Sequence, residues 1–250
     1  MRRRTLIALP VAFTAMAAEP RKTQVYVLQQ FYMKHGTQLA RGHEFLAALS
    51  ARMKQHGPVM CLEATIAAHT PQLALITGHP SLADFQKDQS AVFKDKEILG
   101  AFEKWETADD PPYEHAQQIV LQAAPYSPEV KGLDKAPKTP RVFELRVYHS
   151  PTWRQLAALH QRFAGPEIKI FHRSGVHPLF YSQTAIGPNM PNLTYLIPFD
   201  DLAAREKAWA AFSADEEWVK ARKESIDKDG QIANVIQVSL FKAAPYSPVQ

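Results

Sequence analysis

The phrase Ala-Ala-Pro-Tyr-Ser-Pro occurs at residues 123–128 and again at 243–248, an offset of 120 in a chain of 250 residues. Six matching residues can arise by chance, so the order upstream has to agree as well. Phe31-Tyr32 lines up with Val147-Tyr148, Leu39 with Leu156, Ser81-Leu82-Ala83 with Asp201-Leu202-Ala203, and Asp95-Lys96-Glu97 with Asp215-Glu216-Glu217. The order is kept with small gaps, which is the signature of two diverged copies of one unit. The copies occupy 22–128 and 141–248, and the polar, proline-punctuated stretch 129–140 between them reads as a linker.

Each copy carries the same pattern. Residues 141–149 alternate, with Phe143, Leu145 and Val147 on one face and Glu144, Arg146 and Tyr148 on the other, as a strand buried on one side requires. Leu156, Leu159 and Phe163 then recur at helical spacing, Gly165-Pro166 predicts a kink, and Gly175 a stop. Two strand-like runs, 177–186 and 193–199, flank a Gly-Pro-Asn loop of hairpin type. Asp200 or Asp201 is placed to cap a second helix whose Leu202, Trp209 and Phe212 lie along one stripe, a short helix bears Trp218, and a last strand follows at 232–241. The first copy predicts helices near 35–55 and 81–105 and a last strand near 117–124.

The order β-α-β-β-α-β is the ferredoxin-like split unit, which covers one sheet face with helices and leaves the other bare. Two units in one chain can press the bare faces together. The expected class is therefore α+β, with two tandem ferredoxin-like repeats closing one barrel inside a single chain.

Composition narrows the function. The lone Cys61 lies in an apolar run, so no intrachain disulfide is available and the thiol reads as a buried structural one. Residues 1–18 combine Arg2-Arg3-Arg4 with an apolar run from Leu6 to Phe13 and small residues beyond it, the anatomy of a signal peptide with a loose twin-arginine start. Periplasmic or secreted localisation is expected, and the run is too short for a stable membrane anchor. Without those three arginines, the 29 basic residues fall to 26 against 25 acidic ones, so the charge gives no reason to expect a nucleic-acid partner.

The second copy resembles the NIPSNAP family of the dimeric α/β-barrel superfamily. The resemblance runs from Arg141 to Lys242 and rests on Phe143-Glu144-Leu145-Arg146-Val147-Tyr148, Phe171-His172-Arg173-Ser174-Gly175, Ile186-Gly187-Pro188, Asn192-Leu193-Thr194-Tyr195-Leu196, Asp200 to Glu206, and Asp215-Glu216-Glu217-Trp218. The first copy departs from it: Leu28 and Gln30 stand for Glu144 and Arg146, and Ala68-His69-Thr70-Pro71 replaces the Ile-Gly-Pro hairpin. What the resemblance implies about activity is thin, since fold relatives include cofactor-independent monooxygenases and haem-binding chlorite dismutase-like proteins.

The most site-like residues fall in the second copy. His172, His149 and Tyr148 are candidates for proton transfer, and Arg146, Arg173, His177, Tyr181 and Trp209 for holding a ligand. The competing structural reading is an ion pair between Glu144 and Arg146, packing by Tyr148, and a helix C-cap at His172. His172 and His177 lack the companions of a zinc site, so no metal and no organic cofactor is expected, with haem, through His160, as the alternative. The expected function is binding of a small apolar, aromatic or anionic ligand in a pocket of the second copy, in an exported protein that assembles as a homo-oligomer of barrels. The alternatives are a cofactor-independent monooxygenase or proton-transfer enzyme, and an interaction module whose barrel is filled by side chains.

Overall fold

Strand β1 (Val25–Tyr32) is buried along nearly its whole length because it is the central strand of its sheet. The computed structural model describes residues 22–133 and 137–250; the proposed signal segment 1–18 and the middle of the linker lie outside them. The first half continues with α1 (Thr37–Met53), β2 (Val59–Ile66), β3 (Gln72–His79), α2 (Leu82–Val92), α3 (Lys96–Glu106) and β4 (His115–Ala123). The second runs β5 (Val142–His149), α4 (Trp153–Arg162), a π-helical turn at Phe163–Glu167, α5 (Ile168–Ser174), β6 (Phe180–Ile186), β7 (Asn192–Phe199), α6 (Leu202–Ala214), α7 (Glu216–Asp229) and β8 (Val235–Ala243). Among the described residues no helix is long and apolar enough to cross a membrane.

All eight strands form one closed antiparallel barrel in the order β1-β3-β2-β8-β5-β7-β6-β4. Each half supplies a four-stranded sheet, and the halves meet at the β2–β8 and β4–β6 seams, so the chain closes its own barrel. The duplicated phrase secures those seams reciprocally. Ser127 Oγ accepts from the Tyr181 amide at 3.0 Å and Ser247 Oγ from the Cys61 amide at 2.9 Å. The Tyr126 hydroxyl reaches His160 Nδ1 at 2.7 Å, and Tyr246 reaches His43 Nδ1 at 2.8 Å, so each half clasps a helix of the other. Cys61 is buried at the second clasp, and burial pushes its thiol up to about 12, which leaves it unreactive.

Helix boundaries follow local chemistry. Thr152, Asp201 and Asp215 cap α4, α6 and α7 with side-chain oxygens that accept from backbone amides, and Gly175 ends α5 in the left-handed region at φ +91°. Gly165 leaves the helical region, and Pro166 cannot donate, so the helix widens into the π turn that buries both Phe163 and Glu167.

Three expectations are corrected. The first-half helix expected over 81–105 is two helices, because Asp95 caps α3 as Asp215 caps α7. Leu202, placed with Trp209 and Phe212 on a buried stripe, is 52% exposed. The strand registers equate β1 with β5 at an offset of 117, since Val25 faces His79 and Gln122 while Val142 faces Phe199 and Lys242. Glu144 and Arg146 therefore correspond to Val27 and Gln29, and Phe31 to Tyr148. A one-residue slip in alignment is enough to assign each strand residue to the wrong face.

Candidate functional site

The two faces of β5 lead to two different environments. Phe143 and Leu145 point into the barrel, where with Tyr26, Met60, Phe180, Leu196 and Phe241 they pack one end solid. Tyr26 and Phe180, from opposite halves, stack with ring centres 4.3 Å apart. Toward the other end the seams stop short: His115–Ile119 of β4 and Val235–Ser239 of β8 pair only with β1 and β5. There the barrel holds a cavity of about 480 Å³, within the range of ~300–1,000 Å³ usual for small-molecule sites.

The floor of this cavity is Leu28, Ile119, Leu121, Leu145 and Val147. Its walls are amides and hydroxyls, and none of the lining residues is charged. On the first-half wall Gln117 Nε2 donates to Gln30 Oε1 at 2.6 Å and to the Tyr32 hydroxyl. On the second-half wall Thr184 and Thr194 hydroxyls both donate to Asn192 Oδ1 at 3.0 Å, while Asn192 Nδ2 donates to the Asn189 carbonyl. Gln72, on β3 opposite Tyr32, is 2% exposed, and its buried Nε2 has no acceptor in the protein. A buried amide donor without a partner is costly unless something else completes it.

The outer face of β5 lies under the second-half helices. Glu144, fully buried, accepts from Arg146 Nε, Arg205 Nε and, at 3.2 Å, from Trp209 Nε1. The Arg146 guanidinium sits 3.8 Å from the centre of the Trp209 ring and donates to the Tyr148 hydroxyl at 2.9 Å. Tyr148, Tyr181 and Tyr195 surround Phe163 in the same layer. Burial raises the Tyr181 phenol well above its ordinary range, with Glu167 adding to the effect. Of the residues singled out by sequence, Arg146, Tyr148, Tyr181 and Trp209 are thus brought together; the first two and Trp209 are packed and paired, while the Tyr181 hydroxyl is buried without a partner.

The other candidates lie elsewhere. Arg173 is taken up by Asp215 and Glu217 at the start of α7. His172 and His177 stack on each other with ring centres 5.1 Å apart, and partial burial, with His177 beside it, lowers the His172 pKa. His149 is not itself a lining residue, but its Nδ1 is 3.2 Å from the carbonyl of Asn189, which lines the cavity. Sequence reasoning missed Gln30, Tyr32, Gln72, Gln117, Asn192 and Thr194 because the barrel interior was taken as dry. A signal was present: Gln72 and Asn192, like Gln117 and Gln237, are polar residues at matching positions 120 apart on inward faces.

Glu167 is the buried acid of the helix layer. Its Oε2 accepts from Arg162 Nε at 2.7 Å, yet burial outweighs that partner and pushes the carboxyl from 4.5 up to about 7. The fold therefore holds this proton more tightly than the unfolded chain does. Stability from this group is fully present below about pH 4.5 and is lost as pH rises toward 7, by on the order of 3 kcal/mol. Urea unfolding across pH 5–8 checks this: the wild type is expected to show that decline and Glu167→Gln a flatter profile.

Residues 143–248 match the family model described as NIPSNAP, so the second half of the chain is similar to that family. Solved structures share the whole two-repeat barrel. A proposed monooxygenase from Lactobacillus acidophilus NCFM superposes with a TM-score of 0.59 at 9% identity, covering 89% of this chain and 94% of its own. A variant chlorite dismutase from Candidatus Nitrospira defluvii in complex with cyanide gives 0.53 at 11%, covering 90% and 92%. An anthrone oxidase-like protein gives 0.50 at 12%, covering 92% and 94%. At these identities the likeness is one of fold. No curated protein matches the chain.

Haem does not fit the second-half layer. Phe163, Phe171 and Tyr195 fill it with no exposure, and His160 spends both ring nitrogens on Tyr126 and Gln183, leaving none for iron. Among the described residues no group of three or more His, Cys, Asp or Glu side chains is arranged to hold a metal ion.

Proposed function

We propose that the protein binds a small uncharged molecule in the lumen of its barrel, with an apolar body over Leu145 and Val147 and polar groups reaching Gln72 and the Asn192 cluster. The observation that carries this is the buried, unpartnered Gln72 Nε2 on the wall of a 480 Å³ cavity lined by no charged side chain. An anionic ligand is disfavoured. The lumen offers it no cation, and Arg146 and Arg173, the cations expected to serve, are already paired with carboxylates. The second repeat still supplies half the site, through Leu145, Val147, Thr184, Asn189, Asn192 and Thr194. The lumen reading needs no metal or organic cofactor. Export is supported by the leader-like sequence of residues 1–18 and is independent of the lumen.

A second reading, proton transfer on the bound molecule, rests on His149. A carbonyl can only accept, so the neutral ring donates from Nδ1 to Asn189 and keeps its lone pair on Nε2, which is buried and unpartnered. Nε2 would take a proton from a carbon or hydroxyl acid in the lumen, leaving an imidazolium and a carbanion or oxyanion, and would return it. Two fold relatives are described as a proposed monooxygenase and an anthrone oxidase-like protein, which keeps this chemistry in view.

Native mass spectrometry of protein purified from its host tests both readings. The wild type is expected to carry a small neutral mass that Val147→Trp, which fills the lumen, reduces at least tenfold. Equal retention by Val147→Trp, or a wild type without such a mass, would contradict lumen binding. In heavy water the wild type is expected to deuterate that molecule and His149→Ala to hold it unlabelled; equal labelling would remove His149 as the base.

A further inference from the structure

We infer that the first half holds a second site, separate from the lumen: a cavity of about 250 Å³ between its sheet and helices that takes a small, uncharged, planar aromatic molecule. The argument does not rest on the lumen reading.

The strand registers and the helix caps make the two halves comparable residue by residue, with β3 and α2 matching β7 and α6 at an offset of 120. In the second half the space between sheet and helices is taken by Arg146 stacked on Trp209, with Tyr195 and Ile197 beneath. The first half has Gln29, Gln89, Leu75 and Thr77 at those positions, all shorter or slimmer, and all four line the cavity. The acid that anchors the second-half network is also gone: Val27 stands where Glu144 does. The first half thus lacks the counterpart of the Glu144–Arg146 pair and keeps an opening in its place.

What surrounds the opening defines the ligand. Phe31, Phe45, Phe85, Phe102, Trp105 and Tyr113 contribute rings to the wall. Phe45 and Trp105 stack at 4.4 Å between centres and 14° between planes, and Phe31 meets Trp105 edge-on at 5.5 Å. Such walls favour a flat ring system that can stack or meet them edge to face. The only charged lining residue is Glu106, which is exposed, so an anion is repelled and no buried charge awaits a counter-ion. Trp105 is 4% exposed, and its indole N–H, buried in the same wall, has no acceptor in the protein. A ligand with a hydroxyl or carbonyl oxygen supplies one. The volume lies below the ~300 Å³ at which drug-sized pockets begin, which suits a bicyclic molecule.

Calorimetric titration of the full chain with 2-naphthol tests the assignment. The wild type is expected to bind it saturably, and Gln89→Trp, which places in the first half the residue the second half has, to bind at least tenfold more weakly with unfolding midpoint unchanged. Val147→Trp, which fills the lumen, is expected to bind 2-naphthol as the wild type does. Should Gln89→Trp not fold, Thr77→Ile, copying Ile197, is expected to weaken binding at least threefold. Absence of saturable binding by the wild type, wild-type affinity in the cavity-filling variants, or loss confined to Val147→Trp would each overturn the second site. The last outcome would place the probe in the lumen.

Discussion

Replacing Glu144 with alanine is expected to destabilise the protein by about 3–5 kcal/mol, the usual cost of removing one partner from a buried ionic network. Glu144 is completely buried and is the acceptor for Arg146, Arg205 and Trp209. Arg146 and Arg205 keep only 15% and 16% of their side-chain surface exposed, so neither can turn to water without unpacking the layer. Without the carboxylate, Arg146 stays partly desolvated with no carboxylate partner, and Arg205 of α6 keeps only Glu206. Removing the network as a whole should cost far less: Glu144→Leu with Arg146→Met and Arg205→Leu is expected to recover most of the loss, because no unpaired charge remains. Urea unfolding of the three proteins distinguishes the cases. A single variant within about 1 kcal/mol of wild type would mean that the network carries little of the fold.

Phe163→Ala is expected to cost about 3–5 kcal/mol for a different reason, the opening of a hole in a layer that cannot collapse. Phe163 is fully buried and is ringed by Tyr148, Phe171, Tyr181 and Tyr195 at 5.6–6.3 Å between centres. It stands on the π turn at Gly165-Pro166, whose backbone is already committed to presenting both Phe163 and Glu167 inward. Trp153→Ala serves as the control. That ring is 56% exposed, and its loss is expected to change stability by no more than about 0.5 kcal/mol. Equal effects of the two substitutions would contradict the packing described.

The barrel was legible because its signals are periodic and duplicated. Alternation in Phe143 to Tyr148, the Gly175 stop and the twin phrases at 123–128 and 243–248 each act locally, and all point to one unit used twice. One cap was legible too: of Asp200 and Asp201, the pair expected to start α6, Asp201 accepts from the Ala204 amide. What stayed hidden depends on register. Aligning Phe31-Tyr32 one residue off assigned Leu28 and Gln30 the outward positions that Val27 and Gln29 hold. Leu28 and Gln30 in fact face the lumen.

The candidate site was only partly legible, for a related reason. Arg146, Tyr148, Tyr181 and Trp209 do come together, yet chemical versatility in a sequence does not reveal whether a group is free. Arg146 is held by Glu144 and stacked on Trp209, and Arg173 is held by Asp215 and Glu217. Among the groups left without partners, Gln72 Nε2 and His149 Nε2 belong to residue types that ordinarily satisfy themselves at a surface. The mouth of the lumen depends equally on a feature no local pattern encodes, the early end of both seams beside β4 and β8.

The central claim, that the lumen is the binding site, is tested most directly by a crystal structure of the protein purified from its native host. The account predicts density for a small uncharged molecule inside the barrel, touching Leu145 and Val147 and accepting a hydrogen bond from Gln72 Nε2. A lumen occupied by ordered water alone, with a ligand lodged against Arg146 and Trp209 or nowhere in the protein, would contradict it.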